Sequence, residues 1–206
     1  MELKDETAVI FHLRMTGQLR LQSPSKQDRA AFLMDDDSHL CFLDRRRFGE
    51  MFYSNHWWDE PIFQALGPEP LNGRMNGETL KGILRGRSAP IHSILLNQKI
   101  ISGLGNIYVT ESLFHAGISP SRAAGRIPIE KLEGLCKAMK EVLEKSILNR
   151  GYSMHTYVDA LGRKGRSQMF TVVYGKDEQP CIACGVTLKR KVITGRGVVY
   201  CPKCQK

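Results

Sequence analysis

Cys181-Ile-Ala-Cys-Gly-Val-Thr-Leu-Lys-Arg-Lys-Val-Ile-Thr-Gly-Arg-Gly-Val-Val-Tyr-Cys-Pro-Lys-Cys204 stands almost at the C-terminus of the chain and decides how that end must fold. Each C-x2-C turn places two thiolates on one metal at tetrahedral angles. Residues 185–200 between the pairs suit a two-stranded hairpin that brings them together. The spacing predicts one structural Zn2+ held by Cys181, Cys184, Cys201 and Cys204, with no position open to water. A redox dithiol and a chance arrangement are the competing readings. Metal binding on the order of 10–16 kcal/mol would supply much of the folding free energy of so small a module. Lys189, Arg190, Lys191, Arg196 and Lys203 decorate it. This local excess of positive charge is what phosphate contact needs; a solvated surface loop is the bland alternative.

The remainder of the chain agrees in sign. It has 206 residues, 42% hydrophobic and 25% charged, with a formal net charge of +9. Such a composition suits a globular protein with a polyanionic partner. Lipid is the rival polyanion, but no segment joins a basic face to a strong apolar one. The longest apolar run is too short to span a bilayer, and the acidic Met1-Glu-Leu-Lys-Asp-Glu6 lacks the order of a signal peptide. The expectation is a cytoplasmic chain with no membrane contact. Of the six cysteines, Cys41 lies in a strand-like run and Cys136 on an apolar helix face. Both are read as buried core thiols rather than disulfide partners.

Upstream of the cysteines the pattern changes twice. Short β-rich runs at 7–13, 18–21, 30–34, 39–43 and 50–53 are separated by turn formers. Gly67-Pro-Glu-Pro-Leu-Asn-Gly-Arg-Met-Asn-Gly77 reads as a linker. Helical periodicity follows at 78–84, at 91–97 and at 106–115. The longest helix begins after Pro128, carries Ile129, Leu132, Leu135, Cys136, Met139, Val142, Leu143 and Ile147 on one stripe, and ends at Gly151. The polar, basic stretch 159–168 reads as a loop.

Two further stretches carry chemistry. Gln98-Lys-Ile-Ile-Ser-Gly-Leu-Gly-Asn-Ile-Tyr108 joins two helices through a glycine-bearing turn, and free N–H groups near Gly105 and Asn106 can hold a phosphate. Asp44-Arg-Arg-Arg-Phe-Gly49 follows a strand. Arginine can occupy the space of an extruded base, and an exposed phenyl ring can wedge between bases. Taken singly, one is an ordinary tight turn and the other a surface charge cluster around a core Phe.

His12-Leu-Arg-Met-Thr-Gly17, Asp44–Gly49, Leu66-Gly-Pro-Glu-Pro70, Ser102–Tyr108 and the terminal cysteine hairpin, ending Cys201-Pro-Lys-Cys-Gln205, occur in one order. In that order the chain resembles the bacterial formamidopyrimidine-DNA glycosylases over essentially its whole length. The resemblance implies an α+β protein: a partial N-terminal β-sandwich (1–66), a linker (67–77), a helix–two-turn–helix domain (78–160) and a four-cysteine zinc-finger hairpin (161–206), with DNA held between them. It implies that Met15, Arg46 and Phe48 fill the gap left by a flipped nucleotide. Arg87, Asn106 and Arg196 would contact DNA, Arg196 would also serve the elimination step, and Tyr152–Tyr157 would form a loop over the oxidised purine. The partner implied is double-stranded DNA with an oxidised purine or abasic site, bound by a monomer in the bacterial cytoplasm and nucleoid-associated when bound. The activity implied is base-excision repair by a DNA glycosylase and AP lyase.

The resemblance also implies departures. Family members use an N-terminal proline, a neighbouring glutamate and a hairpin lysine, and this chain starts downstream of all three. It is therefore expected to be N-terminally truncated and impaired in activity, the alternative function being a catalytically inactive DNA-binding remnant. The family's Lys-His-x-His is replaced by Lys26-Gln-Asp-Arg29, a helix lysine by His92, an aspartate by Asn97, and Gly-Gly-Ser by Gly151-Tyr-Ser153.

Overall fold

The computed structural model of the protein describes residues 1–3, 5–153 and 157–206. The chain divides into two units, one of Met1–Gln64 with Ser146–Met169, the other of Ala65–Lys145 with Phe170–Lys206.

In the first unit the alternating apolar runs form two small antiparallel sheets. Strands β1 (Ala8–His12) and β5 (Glu50–Ser54) make one; β2 (Gly17–Leu21), β4 (His39–Asp44) and β3 (Asp28–Leu33) make the other in the order β2-β4-β3. In β1 alternate residues share a face, and Ala8 and Ile10 on one of them are buried. The Phe11 ring meets Phe32 of β3 and Phe42 of β4 edge-on, with centroids 5.8 and 5.6 Å away. That contact makes the two sheets a sandwich. The Met1 amine donates to the Val9 carbonyl at 2.9 Å. A short helix, α1 (Pro61–Gln64), follows β5 after the one-turn helix Trp57–Asp59. Segment 159–168 joins this unit: Leu21 N–H donates to the Ala160 carbonyl at 2.8 Å. Most of it is turn, as its composition suggests, but a 3-10 turn begins at Ser167.

The second unit is helical around one apolar core. Its helices are α2 (Gly77–Leu84), α3 (Ile91–Leu95), α4 (Asn106–His115) and α5 (Ile129–Leu148). Asn76 caps α2, its Oδ1 accepting the Thr79 N–H at 2.9 Å. Leu80, Leu84, Ile91, Leu95, Ile101, Leu113, Ile127, Leu132, Leu135 and Met139 are fully enclosed in the core. Helix α3 stops at Leu95, short of the expected Asn97, because the Asn97 Oδ1 accepts the Lys99 N–H and turns the chain. The α5 stripe is also shorter than its periodicity suggests. Leu143 is its last large buried residue, Ile147 is exposed, and Ser146 is buried instead, its hydroxyl 3.0 Å from that of Ser167. A helix that leaves one core for another changes its buried face at the crossing. Cys41 and Cys136 are buried as expected. Burial raises both thiols, Cys136 to about 11 with help from Glu133.

The C-terminal hairpin pairs β6 (Lys189–Ile193) with β7 (Arg196–Tyr200). Thr194 and Gly195 make its turn, both with positive φ, the geometry that matches strand twist in a two-residue loop. No helix among the described residues is long and apolar enough to cross a membrane.

Candidate nucleic-acid interface

Two sets of residues, one in each unit, carry the candidate chemistry. In the first unit the Asp44 carboxylate builds a loop out of the end of β4. Its Oδ1 accepts the Thr16 hydroxyl at 2.5 Å and the Arg46 N–H at 3.3 Å; its Oδ2 accepts the Gly49 N–H at 2.6 Å. Thr16 first, then Gly49, hold this carboxyl below the ordinary carboxylate range. With Arg47 at φ +58, the chain between is forced outward. The consequence is a convergence of side chains far apart in sequence. The Arg46 guanidinium lies over the Phe48 ring, 4.9 Å from its centroid, and donates to the Met15 sulfur at 3.6 Å. Met15 and Phe48 are 75% and 54% exposed. Large apolar surface left in water at the tip of a braced loop is unusual for a monomeric globular chain. Phe48 is thus the exposed aromatic, not a core residue.

Near Arg46, a cavity of about 420 Å3 is lined by Lys26, Gln27, Asp28, Arg29, Asp44, Arg45 and Arg47. The stretch Lys26–Arg29 therefore sits beside the arginine triplet. Of the expected lesion loop, Met154, His155 and Thr156 lie outside the described residues. Next to them the Ser153 hydroxyl donates to the Tyr157 carbonyl at 2.7 Å and accepts the Gly165 N–H at 2.8 Å.

In the second unit the two turns before α4 are laced by Gln98, which its sequence context did not single out. Its Oε1 accepts the Gly103 N–H and its Nε2 donates to the Leu104 carbonyl. Gly67 of the expected linker is strapped to the same turns, its N–H bonded to the Gln98 carbonyl and its carbonyl accepting the Ser102 hydroxyl. Helix α4 then starts at Asn106 with Gly105 as N-cap, and no side chain caps its first turn. Backbone N–H groups at such an end are an anion site. Asn106 reaches the hairpin, Nδ2 donating to the Gly197 carbonyl at 3.1 Å, while its Oδ1 lies 2.9 Å from His92 Nε2. Arg196 is exposed as the first residue of β7, directly after the turn. The glycines flanking it differ in role: Gly195 supplies the positive φ, and Gly197 leaves room for the Arg190 guanidinium that lies against it. Arg87 is exposed, its Nε bonded to the Ile83 carbonyl at 2.9 Å.

The four cysteine sulfurs all lie within 4.8 Å of one another. Cys184 and Cys201 are 3.5 Å apart, Cys181 and Cys204 4.0 Å. Tetrahedral zinc with Zn–S near ~2.3 Å requires S···S separations of roughly 3.8 Å, so the donor set fits zinc. Against burial, the N–H groups of Cys204 and Lys203 draw the Cys201 thiol down to about 7, whereas Cys184 and Cys201 push Cys204 up to about 12. Thiols so close cannot all ionise unless a cation sits among them. Gln205 locks this group to the helices, its Oε1 accepting the Cys201 N–H at 2.8 Å and its Nε2 donating to the Ile118 carbonyl at 3.0 Å.

Known proteins match along nearly the whole chain. Residues 1–51 match the formamidopyrimidine-DNA glycosylase N-terminal domain, 66–158 its H2TH domain, and 178–206 the zinc finger found in FPG and IleRS. The formamidopyrimidine-DNA glycosylase of Marinobacter nauticus is 37% identical over 203 residues, 97% of this chain and 75% of its own length. That of Psychromonas ingrahamii is 39% identical over 201 residues, 96% and 74%. The crystal structure of the MutM (Fpg) protein of Thermus thermophilus superposes with TM-score 0.85 at 35% identity, covering 97% of this chain and 76% of that one. The Lactococcus lactis Fpg, solved in complex with DNA containing an abasic site, gives TM-score 0.85 at 33% identity, covering 97% and 75%.

Proposed function

The chain belongs to the formamidopyrimidine-DNA glycosylase family, and on that premise we propose which of its residues do the work of base-excision repair. Members of the family are DNA glycosylases and AP lyases that bind damaged duplex DNA. Related Lactococcus structures hold DNA with an abasic site or with Fapy-dG. We assign this chain duplex DNA carrying an oxidised purine or an abasic site, bound by a monomer in the bacterial cytoplasm and on the nucleoid.

The observation that carries the assignment is the convergence of Met15, from the turn between β1 and β2, with Arg46 and Phe48, from the loop between β4 and β5. Taking a nucleotide out of the stack costs roughly a few kcal/mol, least at a damaged or abasic position. A thioether, a guanidinium and a phenyl ring already in contact can fill that space without first being ordered. Asn106 keeps one Nδ2 hydrogen beyond its bond to Gly197, and the uncapped first turn of α4 adds backbone N–H donors. Together they can clamp a phosphate. Arg196, on the exposed side of the hairpin, supplies a fixed positive charge; we assign it to phosphate binding and to stabilising the departing phosphate during elimination. Arg87 adds a backbone contact. The zinc ion is structural: it holds the hairpin that carries Arg196, and its four thiolates leave no site for water.

The test is a titration of the zinc-loaded protein with two fluorescent duplexes, one carrying an abasic site and one intact. Tighter, salt-sensitive binding of the abasic duplex is expected. Equal affinities would remove the void-filling assignment. Borohydride reduction on 8-oxoguanine duplex then reads the chemistry directly. A covalent adduct establishes amine attack at C1′, and binding without an adduct establishes the non-catalytic alternative.

A further inference from the structure

We propose that His92 is a positioning residue for Asn106: as a neutral imidazole carrying its proton on Nε2, it fixes which edge of the Asn106 amide faces the hairpin and which N–H is left for a phosphate. The inference rests on the assignment of Asn106 to phosphate binding and adds a residue to it.

The argument is one of donors and acceptors. The Gly197 carbonyl can only accept, so the Asn106 edge that meets it must be Nδ2. That leaves Oδ1, which can only accept, facing His92 Nε2 at 2.9 Å. Nε2 must therefore carry the proton. A reversed amide would set Oδ1 against the Gly197 oxygen and an N–H against the Nε2–H, and both contacts repel. The imidazole is wholly enclosed, with no surface in contact with solvent. Its Nδ1 is buried with no hydrogen-bond partner among the described residues, so a proton there would be an orphan donor. Lys191 on β6 adds positive charge nearby, and burial, more than that charge, depresses the basicity of the ring.

The same short helix touches the hairpin a second time. The Ser93 hydroxyl lies 2.7 Å from that of Thr194 in the turn. Adjacent residues of α3 thus hold both ends of Thr194–Gly197, the segment that contains Arg196. His92 does this through Asn106 and Ser93 directly. His92, being buried, has no access to DNA and can act only through these neighbours.

The experiment compares wild type, His92→Leu, His92→Gln, Asn106→Ala and the double variant His92→Leu/Asn106→Ala on abasic-site duplex across a salt series, with 15N NMR of the imidazole in the free wild-type protein. Asn106→Ala is expected to bind about tenfold more weakly with the slope of log affinity against log salt unchanged, because a neutral amide releases no counterion from the phosphate that it contacts. His92→Leu should reproduce most of that loss, likewise with an unchanged slope, and the double variant should add little to it. His92→Gln, whose amide can donate to Oδ1, should stay within about twofold of wild type, a rescue that simple packing would not give. Additive losses in the double variant, or wild-type binding by His92→Leu, would overturn the inference. A wild-type Asn106→Ala would instead refute the phosphate assignment beneath it. An imidazole found protonated on Nδ1 overturns the positioning role whatever the DNA data show.

Discussion

The Arg46 guanidinium carbon stands 4.9 Å from the centroid of the Phe48 ring, so the cation and the aromatic of the loop are presented as one object. A cation over a ring face gains about 0.5–1 kcal/mol at an exposed site, enough to bias the loop tip but not to freeze it. Phe48→Ala should therefore lose the preference for abasic over intact duplex, about tenfold, while intact-duplex affinity changes little. Paired anisotropy titrations measure this. Equal losses on both duplexes would show that Phe48 acts on the backbone and not in the gap.

Asp44 is the support for that pair and does not itself reach outward. Its carboxylate receives Thr16, Arg46 and Gly49, and an asparagine cannot accept at both ends. Asp44→Asn is expected to cut abasic preference about as far as Phe48→Ala does. Because its folded pKa is lowered from 3.8, its contribution is present above that value and is lost only as pH falls through the folded value. The loop should therefore give a flat binding profile from pH 6 to pH 8 on its account. A titration there that vanishes in Asp44→Asn would contradict this.

The residues legible in sequence were those whose chemistry is local. Two C-x2-C pairs define a metal site without any knowledge of the fold, and alternating or helical apolar spacing gave the elements to within a residue or two. Cys181 through Cys204 and the start of α4 at Asn106 are of this kind. Met15, Arg46 and Phe48 could be grouped only through resemblance, since they meet across 31 positions of sequence. Gln98 and Gln205 stand inside quoted motifs without a role of their own, and Glu111 stands in none. Their partners are backbone groups, which every residue carries, so no side-chain pattern announces them. Ile147 misled for a related reason: helical periodicity records one face, and α5 serves two units.

Glu111 makes the strongest case among those unannounced residues. It is 3% exposed, and its carboxylate accepts the N–H groups of Val172, Val173 and Tyr174 at 2.7–3.0 Å. Those residues lead into the cluster of Phe114, Val173, Leu188 and Val199 around the zinc cysteines. Glu111→Ala leaves the three N–H groups without their acceptor, and a loss of roughly 3 kcal/mol is expected. Glu111→Gln, with one acceptor oxygen, should lose less. Urea unfolding at neutral pH measures both; a change under about 0.5 kcal/mol for the alanine variant would mean that water replaces the carboxylate fully.

Zinc removal should act on the hairpin selectively. The cysteine cluster is small, whereas the α2–α5 core rests on leucine and isoleucine packing that includes no metal ligand. Chelation is expected to abolish binding to both duplexes, since Arg196 loses its support, while most helical circular dichroism survives. Cooperative loss of all helix signal on chelation would show that the core depends on the metal as well.

The acid side of the stability profile should carry the signature of His92. Burial, opposed by the Asn106 bond and aided by Lys191, lowers its pKa from 6.5. Between that value and the folded one, the unfolded chain binds a proton that the folded chain refuses. Its contribution is thus complete above pH ~6.5, declines as pH falls below it, and levels off once the folded ring is also protonated. Protonation of the cysteine ligands destabilises in the same direction, so the wild-type curve alone cannot separate the two. The difference between wild type and His92→Gln can, because the zinc component is common to both. Calorimetric Tm from about pH 7.5 to 5 should fall more steeply for wild type than for His92→Gln, with the two curves converging toward acid. Parallel curves over that range would mean that the imidazole is protonated as readily in the folded protein as in the unfolded chain, so that burial does not set its basicity.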